Sequence, residues 1–264
     1  LGEAGVNMKS LLPTSVQLLV VGLNHRTAPI AIRETLAYTP AETAAALAAL
    51  RQRFPASEAV ILSTCNRVEI YLALPQDNVS PAESTLRSLA HFLADFHALP
   101  PAEFESHLYL HEDRHMVDHL LAVTSSLDSM VVGETQILSQ VKQAYQQACE
   151  GNTVGKIFHT LFQRALSAAK DVHERTNLSA GRLSIASVAV DLARSVFDRF
   201  DDKTVLCIGA GKMASLMLRH LSELRPQKLI VTNRSLPRAE SAAVEFNAEA
   251  RPWEDLDALL IEAD

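Results

Sequence analysis

The chain has 264 residues, of which 48% are hydrophobic, and it carries a formal net charge of −7. A chain of this length and composition can bury a sizeable core in two domains, and its acidic balance argues against a general nucleic-acid binder. Its three cysteines have no regular spacing, which indicates neither a disulfide framework nor a zinc ribbon and favours a cytoplasmic protein with reduced thiols.

The N-terminal part of the chain predicts alternating strands and helices. Residues 1–15 lack the hydrophobic core of a secretory signal, so we expect a disordered leader or residues foreign to the natural chain. No apolar run is long enough to cross a membrane. The predicted elements are a strand over 18–23, a helix over 40–54, strands over 59–62 and 67–72, a helix over 83–97 and a strand over 108–110. This β-α-β-β-α-β order is ferredoxin-like.

A cysteine lies between the two central strands, in the stretch from Ser63 to Tyr71. If strand pairing continues through this stretch, Cys65, Arg67 and Glu69 lie on one face, because strand side chains alternate. An arginine beside a cysteine favours the thiolate, which is the nucleophilic form. The pattern predicts a reactive Cys65. The alternatives are a core position for Cys65 and a surface ion pair between Arg67 and Glu69.

A helical region follows, and a zinc-protease signature lies just before it. From about residue 114 to 182, apolar residues recur at spacings of three and four, which is typical of helices. His111, Glu112 and His115 match H-E-x-x-H, which binds zinc when both imidazoles share a helical face. The preceding strand places His111 ahead of the helix, so a zinc hydrolase is disfavoured.

The last part of the chain predicts a nucleotide-binding fold. Loop-like residues 177–181 mark the domain boundary, and a linking helix over 184–200 leads to a strand that ends in a Gly-x-Gly-x-x-Ala turn. In this dinucleotide fingerprint the glycines let the backbone approach a pyrophosphate at the helix start. Cys207, inside the strand, is expected in the core. The predicted cofactor-binding residues of the turn are Gly209, Ala210, Gly211, Lys212, Met213 and Ala214.

The residues after the next strand indicate which dinucleotide binds. A site selective for NAD usually has Asp or Glu there to hold the ribose hydroxyls, whereas this chain has Asn233, Arg234 and Ser235. An arginine with neighbouring amide and hydroxyl groups suits a 2′-phosphate. We therefore expect NADPH as the cofactor, with an ordinary polar turn as the alternative.

The stretch Ser-Thr-Cys-Asn-Arg-Val-Glu-Ile-Tyr at 63–71 resembles the active-site motif of the glutamyl-tRNA reductase family. The resemblance begins with Val-Val-Gly-Leu-Asn-His-Arg-Thr-Ala-Pro at 20–29 and runs to the last residue. It implies that Cys65 attacks the ester of glutamyl-tRNA to form a thioester, and that NADPH reduces this thioester to glutamate-1-semialdehyde. A cysteine suits this reaction because a thioester accepts hydride more readily than a carboxylate does. The implied reaction uses no metal.

The resemblance also implies roles for further side chains. Besides Cys65, the implied catalytic residue is His119, as an acid/base or orienting group; a core histidine is the alternative. Arg67 would suit a bidentate grip on a substrate carboxylate. Asp128 and Ser129 could also be helix caps. The implied substrate-binding residues are Thr64, Asn66, Arg67, Ser129, Glu134 and Gln136.

The chain departs from the family pattern in two stretches. The family usually has Ala-Ser-Gly-Leu-Asp-Ser where this chain reads Thr-Ser-Ser-Leu-Asp-Ser at 124–129. Ser126 therefore replaces a glycine, which adds bulk and a hydroxyl near the expected site. Thr135 stands where proline is common.

The expected fold class is α/β. A catalytic domain at 16–181 combines the ferredoxin-like βαββαβ part, to about 112, with a helical part from about 113. Residues 182–264 hold the linking helix and an incomplete Rossmann-type NADPH-binding domain. The family continues into a dimerisation domain, so we expect a fragment of a homodimeric protein.

Two macromolecular partners are implied, glutamyl-tRNA(Glu) and glutamate-1-semialdehyde aminomutase. The tRNA could contact a scatter of basic residues in the third helix of the helical region, with a solvated helix face as the alternative. These residues are Lys156, Arg164, Lys170, His173, Arg175 and Arg182. A non-catalytic regulator that binds NADPH or RNA on the same fold is the second candidate function.

Overall fold

The structure is a computed structural model, and it describes residues 16–75, 81–134, 136–176 and 185–264. The chain divides into two compact units, residues 1–179 and 180–264. The expected leader and the predicted domain boundary at 181–182 lie outside the described residues.

The first unit contains four strands and six α-helices among its described residues. They are β1 (Val16–Asn24), α1 (Ile30–Thr35), α2 (Pro40–Arg53), β2 (Glu58–Ser63), β3 (Arg67–Pro75), α3 (Ala82–His97), β4 (Tyr109–Glu112), α4 (Asp113–Thr124), α5 (Gln136–Glu150) and α6 (Lys156–Arg175). Two short 3-10 turns, Pro101–Glu103 and Glu105–His107, lead into β4. The predicted β-α-β-β-α-β order is observed, and α1 is an additional helix that the sequence did not predict.

The four strands form one sheet in the order β2-β3-β1-β4, and every neighbouring pair is antiparallel. β1 and β3 occupy the centre, and their side chains are almost all buried. β1 is largely apolar, whereas β3 also buries Arg67 and Glu69 as an ion pair. The carboxyl end of β1 and the hairpin between β2 and β3 meet at one edge of the sheet, where Asn24 pairs with Arg67.

Local sequence signals account for the helix boundaries around this sheet. Thr39 and Glu42 form a capping box at the start of α2, because each side chain accepts a hydrogen bond from the other's backbone amide. The apolar stripe predicted for α5 is buried, as expected for a helix packed on the sheet. Its members are Ile137, Val141, Ala144, Tyr145 and Ala148.

The second unit contains a parallel sheet in the order β5-β6-β7 with helices between its strands. Its described elements are α7 (Ile185–Val196), β5 (Thr204–Ile208), α8 (Lys212–Glu223), β6 (Lys228–Thr232), α9 (Leu236–Phe246), β7 (Glu249–Arg251) and α10 (Leu256–Glu262). A strand, a glycine turn and a helix therefore follow one another as predicted. Cys207 is buried in the core of this unit, which confirms its expected position.

Among the residues that the structure describes, no helix has both the length and the apolar character needed to cross a membrane.

Candidate active site

Cys65 lies in a tight turn rather than in a strand. The last paired residues of the β2–β3 hairpin are Ser63 and Val68, so regular pairing stops before the cysteine. The Thr64 hydroxyl accepts hydrogen bonds from the amides of Asn66 (3.2 Å) and Arg67 (3.1 Å), and the Thr64 amide donates to the Arg67 carbonyl (2.8 Å). We call residues 64–67 the Cys65 turn. It holds the Cys65 side chain exposed.

The expectation that Cys65 shares a face with Arg67 and Glu69 is wrong, because alternation needs continuous strand pairing and the turn interrupts it. Arg67 is only 1% exposed and Glu69 is fully buried, whereas Cys65 faces solvent. The alternative, an ion pair between Arg67 and Glu69 at the surface, is right about the pair and wrong about its location. The two side chains are paired at 2.6 Å inside the protein.

Four side chains surround the buried carboxylate of Glu69, and together the five residues form the Glu69 cluster. The hydrogen-bonded atoms are Arg67 Nη1 (2.6 Å), Tyr71 OH (2.6 Å), Tyr109 OH (2.6 Å) and His119 Nε2 (2.8 Å). Burial opposes ionisation of Glu69, but its charged and hydrogen-bonded neighbours outweigh burial and hold the pKa of its carboxyl well below the usual range. The cluster is therefore a fully matched set of buried polar groups.

A glycine makes room for this cluster. Gly22 of β1 pairs with Glu69 on one side and with Tyr109 on the other. A Cβ atom at Gly22 would lie 2.5 Å from the Val68 carbonyl oxygen and 2.8 Å from Glu69 Cγ. Any larger residue would push β3 away at the position that carries the carboxylate.

The remaining hydrogen-bonding capacity of Arg67 goes to Asp128 and not to open solvent. Its Nη2 atom donates to the Asp128 carbonyl and lies 3.2 Å from Asp128 Oδ2, and Asp128 also pairs with Arg26 at 3.1 Å. Arg67 thus fastens the loop after α4 to the sheet. Its expected grip on a substrate carboxylate is not what this geometry shows, because its guanidinium is buried and already paired.

The acidity of the thiol also differs from the prediction. Partial burial raises the pKa of Cys65, the Glu134 carboxylate raises it further, and the Arg33 guanidinium lowers it. The charge of Arg67 is matched by Glu69 and Asp128 inside the protein. The predicted stabilisation of the thiolate by Arg67 is therefore wrong, and the cation that favours the thiolate is Arg33, on α1.

The loop after α4 carries two predicted site residues, Ser129 and Glu134. α4 ends in a Schellman motif: the amide of Ser126 donates to the Val123 carbonyl and the amide of Leu127 donates to the Ala122 carbonyl. Ser126 occupies the left-handed position of this motif, with φ +63°, where glycine is usual. Its buried hydroxyl donates to the Glu134 carbonyl at 2.5 Å.

This clamp fixes the loop from 126 to 134. Ser129 is 9% exposed and Glu134 is 8% exposed, so both side chains are buried, and burial raises the pKa of Glu134. Gln136 is the half-buried first residue of α5, and Thr135 lies outside the described residues. Thr64 and Asn66 belong to the turn itself, where the Thr64 hydroxyl is engaged by backbone amides.

His119 lies at a pocket beside the Glu69 cluster. The pocket has a volume of about 480 Å³. Its lining residues are Asn24, Arg26, Thr27, Tyr109, His111, His119, Ala122, Leu127 and Asp128. Cys65 is not one of them. His119 is held by Glu69 through Nε2, and the His111 ring lies 4.9 Å from its ring centre.

The H-E-x-x-H motif does not lie on one helix. His111 and Glu112 end β4, whereas His115 lies in the first turns of α4. Within the described ranges, no group of three or more histidine, cysteine or carboxylate side chains is arranged to hold a metal ion. The structure therefore shows the strand-to-helix break that the sequence predicted at His111.

The predicted basic residues of the tRNA contact lie on α6. Lys156, Arg164, Lys170 and Arg175 are exposed, and His173 is half-buried. Arg182 lies outside the described residues.

The glycine turn of the second unit has the features of a pyrophosphate site. Gly209 has φ +106°, and a Cβ atom at Gly209 or Gly211 would meet nothing within 4 Å, so a ligand can approach the backbone. Gly211 caps the 12-residue helix α8 without any side-chain acceptor for the first amides. Met213 is exposed and Ala214 packs on the core. The residues present therefore fit a dinucleotide.

Side chains at the end of β6 fit the adenosine part of such a ligand. Arg234 is exposed and lies over the Trp253 ring at 5.6 Å, which holds its guanidinium at the surface. The Asn233 side chain donates to the Ser235 carbonyl at 3.0 Å and fixes this turn.

Three residues with contacts or charges near the turn were not predicted in those roles: Asp128 as the partner of Arg67, Arg33 as a charge acting on Cys65, and His25 as a backbone donor to Asn66. A lone arginine in a six-residue helix has no pattern that marks it. Asp128 was weighed only as a helix cap.

Comparisons with known proteins agree with the division into two units. A family model described as glutamyl-tRNAGlu reductase, N-terminal domain, matches residues 21–176. A second model, described as shikimate / quinate 5-dehydrogenase, matches residues 191–264.

Curated relatives and a solved structure match nearly the whole chain. Glutamyl-tRNA reductase of Alkalilimnicola ehrlichii is 43% identical over 249 residues, 94% of this chain and 54% of the relative. That of Thermodesulfovibrio yellowstonii is 43% identical over 256 residues, 94% of this chain and 58% of the relative. The structure of glutamyl-tRNA reductase from Methanopyrus kandleri is similar with a TM-score of 0.57 and 32% identity, over 94% of this chain and 57% of that chain. The chain spans a little over half the length of these relatives.

Proposed function

The chain belongs to the glutamyl-tRNA reductase family, and on that premise we propose that it reduces the glutamyl group of glutamyl-tRNA(Glu) to glutamate-1-semialdehyde with NADPH. The observation that carries the proposal is the exposed Cys65 thiol on a turn whose backbone is fixed by the Thr64 hydroxyl. A nucleophile held in this way meets an acyl carbon with little loss of conformational freedom.

In the proposed first step, the Cys65 sulfur attacks the carbonyl carbon of the glutamyl ester. A C–S bond forms, the C–O bond to the terminal ribose breaks, and the tRNA leaves with a free hydroxyl. Because the pKa of Cys65 is raised, the thiol needs a base at neutral pH. Glu134 acts electrostatically on this thiol, and burial raises the pKa of Glu134, which makes its carboxylate a stronger base than an exposed one. We assign the proton acceptor role to Glu134.

The second step regenerates the thiol. NADPH, when bound, supplies the hydride that converts the thioester carbonyl to an aldehyde as the C–S bond breaks. Gly209 and Gly211 would let the backbone amides at the start of α8 hold its pyrophosphate, with Ala210, Lys212, Met213 and Ala214 completing the turn. Arg234 would bind the 2′-phosphate, flanked by Asn233 and Ser235.

The other predicted residues have supporting roles in the proposal. His119, fixed by Glu69, orients groups that enter the pocket beside it. Substrate-lining positions are Thr64, Asn66, Ser129 and Gln136, and the tRNA contacts the exposed cations of α6. A ferredoxin-like first unit is supported by the antiparallel order β2-β3-β1-β4, and a Rossmann-type second unit by the parallel sheet. The homodimer, the aminomutase partner and the cytoplasmic location stay predictions.

The first step can be tested with this chain alone. We expect radiolabelled glutamate from glutamyl-tRNA to become attached to Cys65 in a bond that hydroxylamine cleaves. Cys65→Ser should abolish the labelling, whereas Cys149→Ser, which alters a half-buried thiol on α5, should leave it unchanged. Equal labelling of wild type and Cys65→Ser would end the proposal. Absence of label from the wild type would favour the non-catalytic regulator.

The cofactor assignment needs a binding measurement. We expect fluorescence titration to show tighter binding of NADPH than of NADH, and Arg234→Gln should reduce this preference by about tenfold through loss of charge-assisted hydrogen bonds. Arg219→Gln, an exposed arginine of α8, is the matched control. Equal affinities for both nucleotides in the wild type would contradict the assignment.

A further inference from the structure

A buried arginine without matched partners lies on α1. Arg33 is 7% exposed, and its Nε and Nη1 atoms have no hydrogen-bond partner among the described residues. Leaving guanidinium donors buried and unpaired is costly, because water no longer solvates them. Such a group therefore needs an explanation, and a ligand that completes its hydrogen bonds is one.

The position of α1 brings this arginine to the Cys65 turn. On the N-terminal side of α1, the His25 amide donates to the Asn66 carbonyl at 2.9 Å. On its C-terminal side, the Tyr38 amide donates to the Ser63 hydroxyl at 2.9 Å. Ser63 and Asn66 flank Cys65 on either side. The segment from 25 to 38 is thus tied to both sides of the turn, and Arg33 is the buried residue of its helix.

The charges around the thiol agree with this placement. Partial burial and Glu134 raise the pKa of Cys65, and Arg33 acts in the opposite direction. Arg33 also lowers the pKa of the His25 imidazole, after burial and the charges of Arg26 and Arg67. The Nδ1 atom of His25, whose backbone amide is bonded to the Cys65 turn, is a third buried polar atom without a partner in the described part of the chain. The segment that is tied to the turn therefore carries two residues with unsatisfied polar atoms.

We propose that Arg33 binds a carboxylate of the molecule that reacts with Cys65. Two observations place the carboxylate site at Arg33. Residues 25–38 are hydrogen-bonded to both sides of the Cys65 turn, and two nitrogens of the Arg33 guanidinium have no partner among the described residues. The identity of the carboxylate rests on the proposed function: in a glutamyl ester the α-carboxyl is esterified, so the free carboxylate is that of the side chain. A guanidinium pairs with this group through two parallel hydrogen bonds.

The pairing makes Arg33 a specificity residue. A glutaminyl ester has the same size but presents a neutral amide, which would leave the guanidinium charge unmatched. Rejection of a substrate that leaves a buried charge unpaired is much stronger than rejection by size alone.

The anion site can be tested without tRNA by alkylating Cys65. Iodoacetate and iodoacetamide transfer similar groups to the sulfur and both release iodide, but only iodoacetate carries a carboxylate. A change in thiolate fraction affects both rates equally, so the ratio of the two rates isolates anion binding. The rates are read from the Cys65 peptide by mass spectrometry, which separates it from Cys149 and Cys207.

We expect the iodoacetate-to-iodoacetamide ratio to be higher for the wild type than for N-acetylcysteine. Arg33→Gln should lower it by about tenfold, and Arg33→Lys by less, because lysine keeps the charge but loses the planar fork. Arg51→Gln, at the exposed end of α2, is the control and should leave the ratio unchanged. An unchanged ratio in Arg33→Gln overturns the proposal, and an equal fall in Arg51→Gln does so too.

The proposal can still be tested if the Arg33→Gln variant does not fold. If Arg33→Gln is unfolded by circular dichroism, the wild-type ratio decides, and a value no higher than that of N-acetylcysteine overturns the site. Labelling by glutamyl-tRNA separates the two proposals. A raised iodoacetate-to-iodoacetamide ratio without acylation of Cys65 would support the carboxylate site and contradict the reductase function. Acylation with a ratio no higher than that of N-acetylcysteine would support the reductase function and contradict the carboxylate site.

Discussion

The Glu69 cluster and the Cys65 turn are neighbours in sequence, but they differ in whether their buried polar groups have hydrogen-bond partners within the chain. In the cluster, each buried charge meets a partner within the chain, and Glu69 alone has four. Around the turn, the exposed thiol of Cys65 is acted on by the charges of Glu134 and Arg33, and two nitrogens of the buried Arg33 guanidinium have no partner in the described part of the chain. Matched groups hold a fold in one arrangement, whereas unmatched groups are ready for a ligand.

The largest effect should come from breaking the cluster. Glu69→Ala removes the partner of a buried arginine and should lower the free energy of unfolding by about 3 to 5 kcal/mol, because Arg67 keeps its charge. Urea unfolding at pH 7 measures this change. Glu150→Ala, an exposed glutamate at the end of α5, should change it by less than about 0.5 kcal/mol. A loss below about 1 kcal/mol for Glu69→Ala would show that the cluster is not a matched unit.

The matched Glu69 cluster also predicts that the free energy of unfolding decreases in acid. The folded pKa of Glu69 is lowered, so its contribution is fully present above the unfolded value of about 4.3 and is lost as the pH falls towards the folded value. The difference in unfolding free energy between wild type and Glu69→Gln should therefore shrink below about pH 4. A difference that stays constant between pH 7 and 3 would contradict this origin.

Ser126 lies between the two regions, because its loop carries both Asp128 and Glu134. Ser126→Ala loses the hydrogen bond to the Glu134 carbonyl and keeps the left-handed backbone, and it should cost about 1 to 2 kcal/mol. Ser126→Gly loses the same bond but relaxes the backbone, so it should be about 1 kcal/mol more stable than the alanine variant.

Asn152 provides the matched control for Ser126. It has φ +52° after α5 and is exposed. The glycine and alanine variants of Asn152 should differ by a similar amount through the backbone alone. If both Ser126 variants unfold like the wild type in urea, the hydroxyl clamp has no energetic role.

The smallest effect on the free energy of unfolding is expected for Glu134, whose ionised carboxylate destabilises the fold, whereas that of Glu69 stabilises it. Its folded pKa is raised, so the ionised carboxylate disfavours the fold at pH 7, and this cost disappears as the pH falls below the unfolded value. Glu134→Gln should raise the free energy of unfolding at pH 7 by up to about 1 kcal/mol.

The same variant separates thiol acidity from catalysis. Without the Glu134 carboxylate, the pKa of Cys65 should fall, so alkylation by iodoacetamide at neutral pH should become faster. Acyl transfer from glutamyl-tRNA should become slower because the proposed base is gone. A parallel change of both rates would contradict the assignment of Glu134 as the base.

Local structure was more accessible to sequence reasoning than the contacts of either the Glu69 cluster or the Cys65 turn. The strands around Cys65, the start of α2 and the glycine turn follow from apolar runs, a capping box and a fingerprint, all of which are local. The position of Arg67 was predicted wrongly because alternation was assumed across a turn that the Thr64 hydroxyl creates. Which arginine faces the thiol depends on tertiary packing, and no local pattern records it.

α1 shows the same limit at the level of a whole helix. It has six residues after Pro29, too few for a periodic apolar stripe, and its one buried residue is charged. A charged residue in a short segment predicts a solvent-exposed loop. The two hydrogen bonds that tie this segment to Ser63 and Asn66 arise only when distant parts of the chain meet.

Those two ties limit how the site can be transplanted. A hairpin cut out at residues 58–75 and grafted into another protein would carry the sulfur atom but leave behind the donors at His25 and Tyr38, together with Arg33. A portable block must therefore begin with β1, and it must also extend to the loop after α4, because that loop carries Asp128 and Glu134. A protein engineer who borrows this nucleophile must take about 120 contiguous residues along with it.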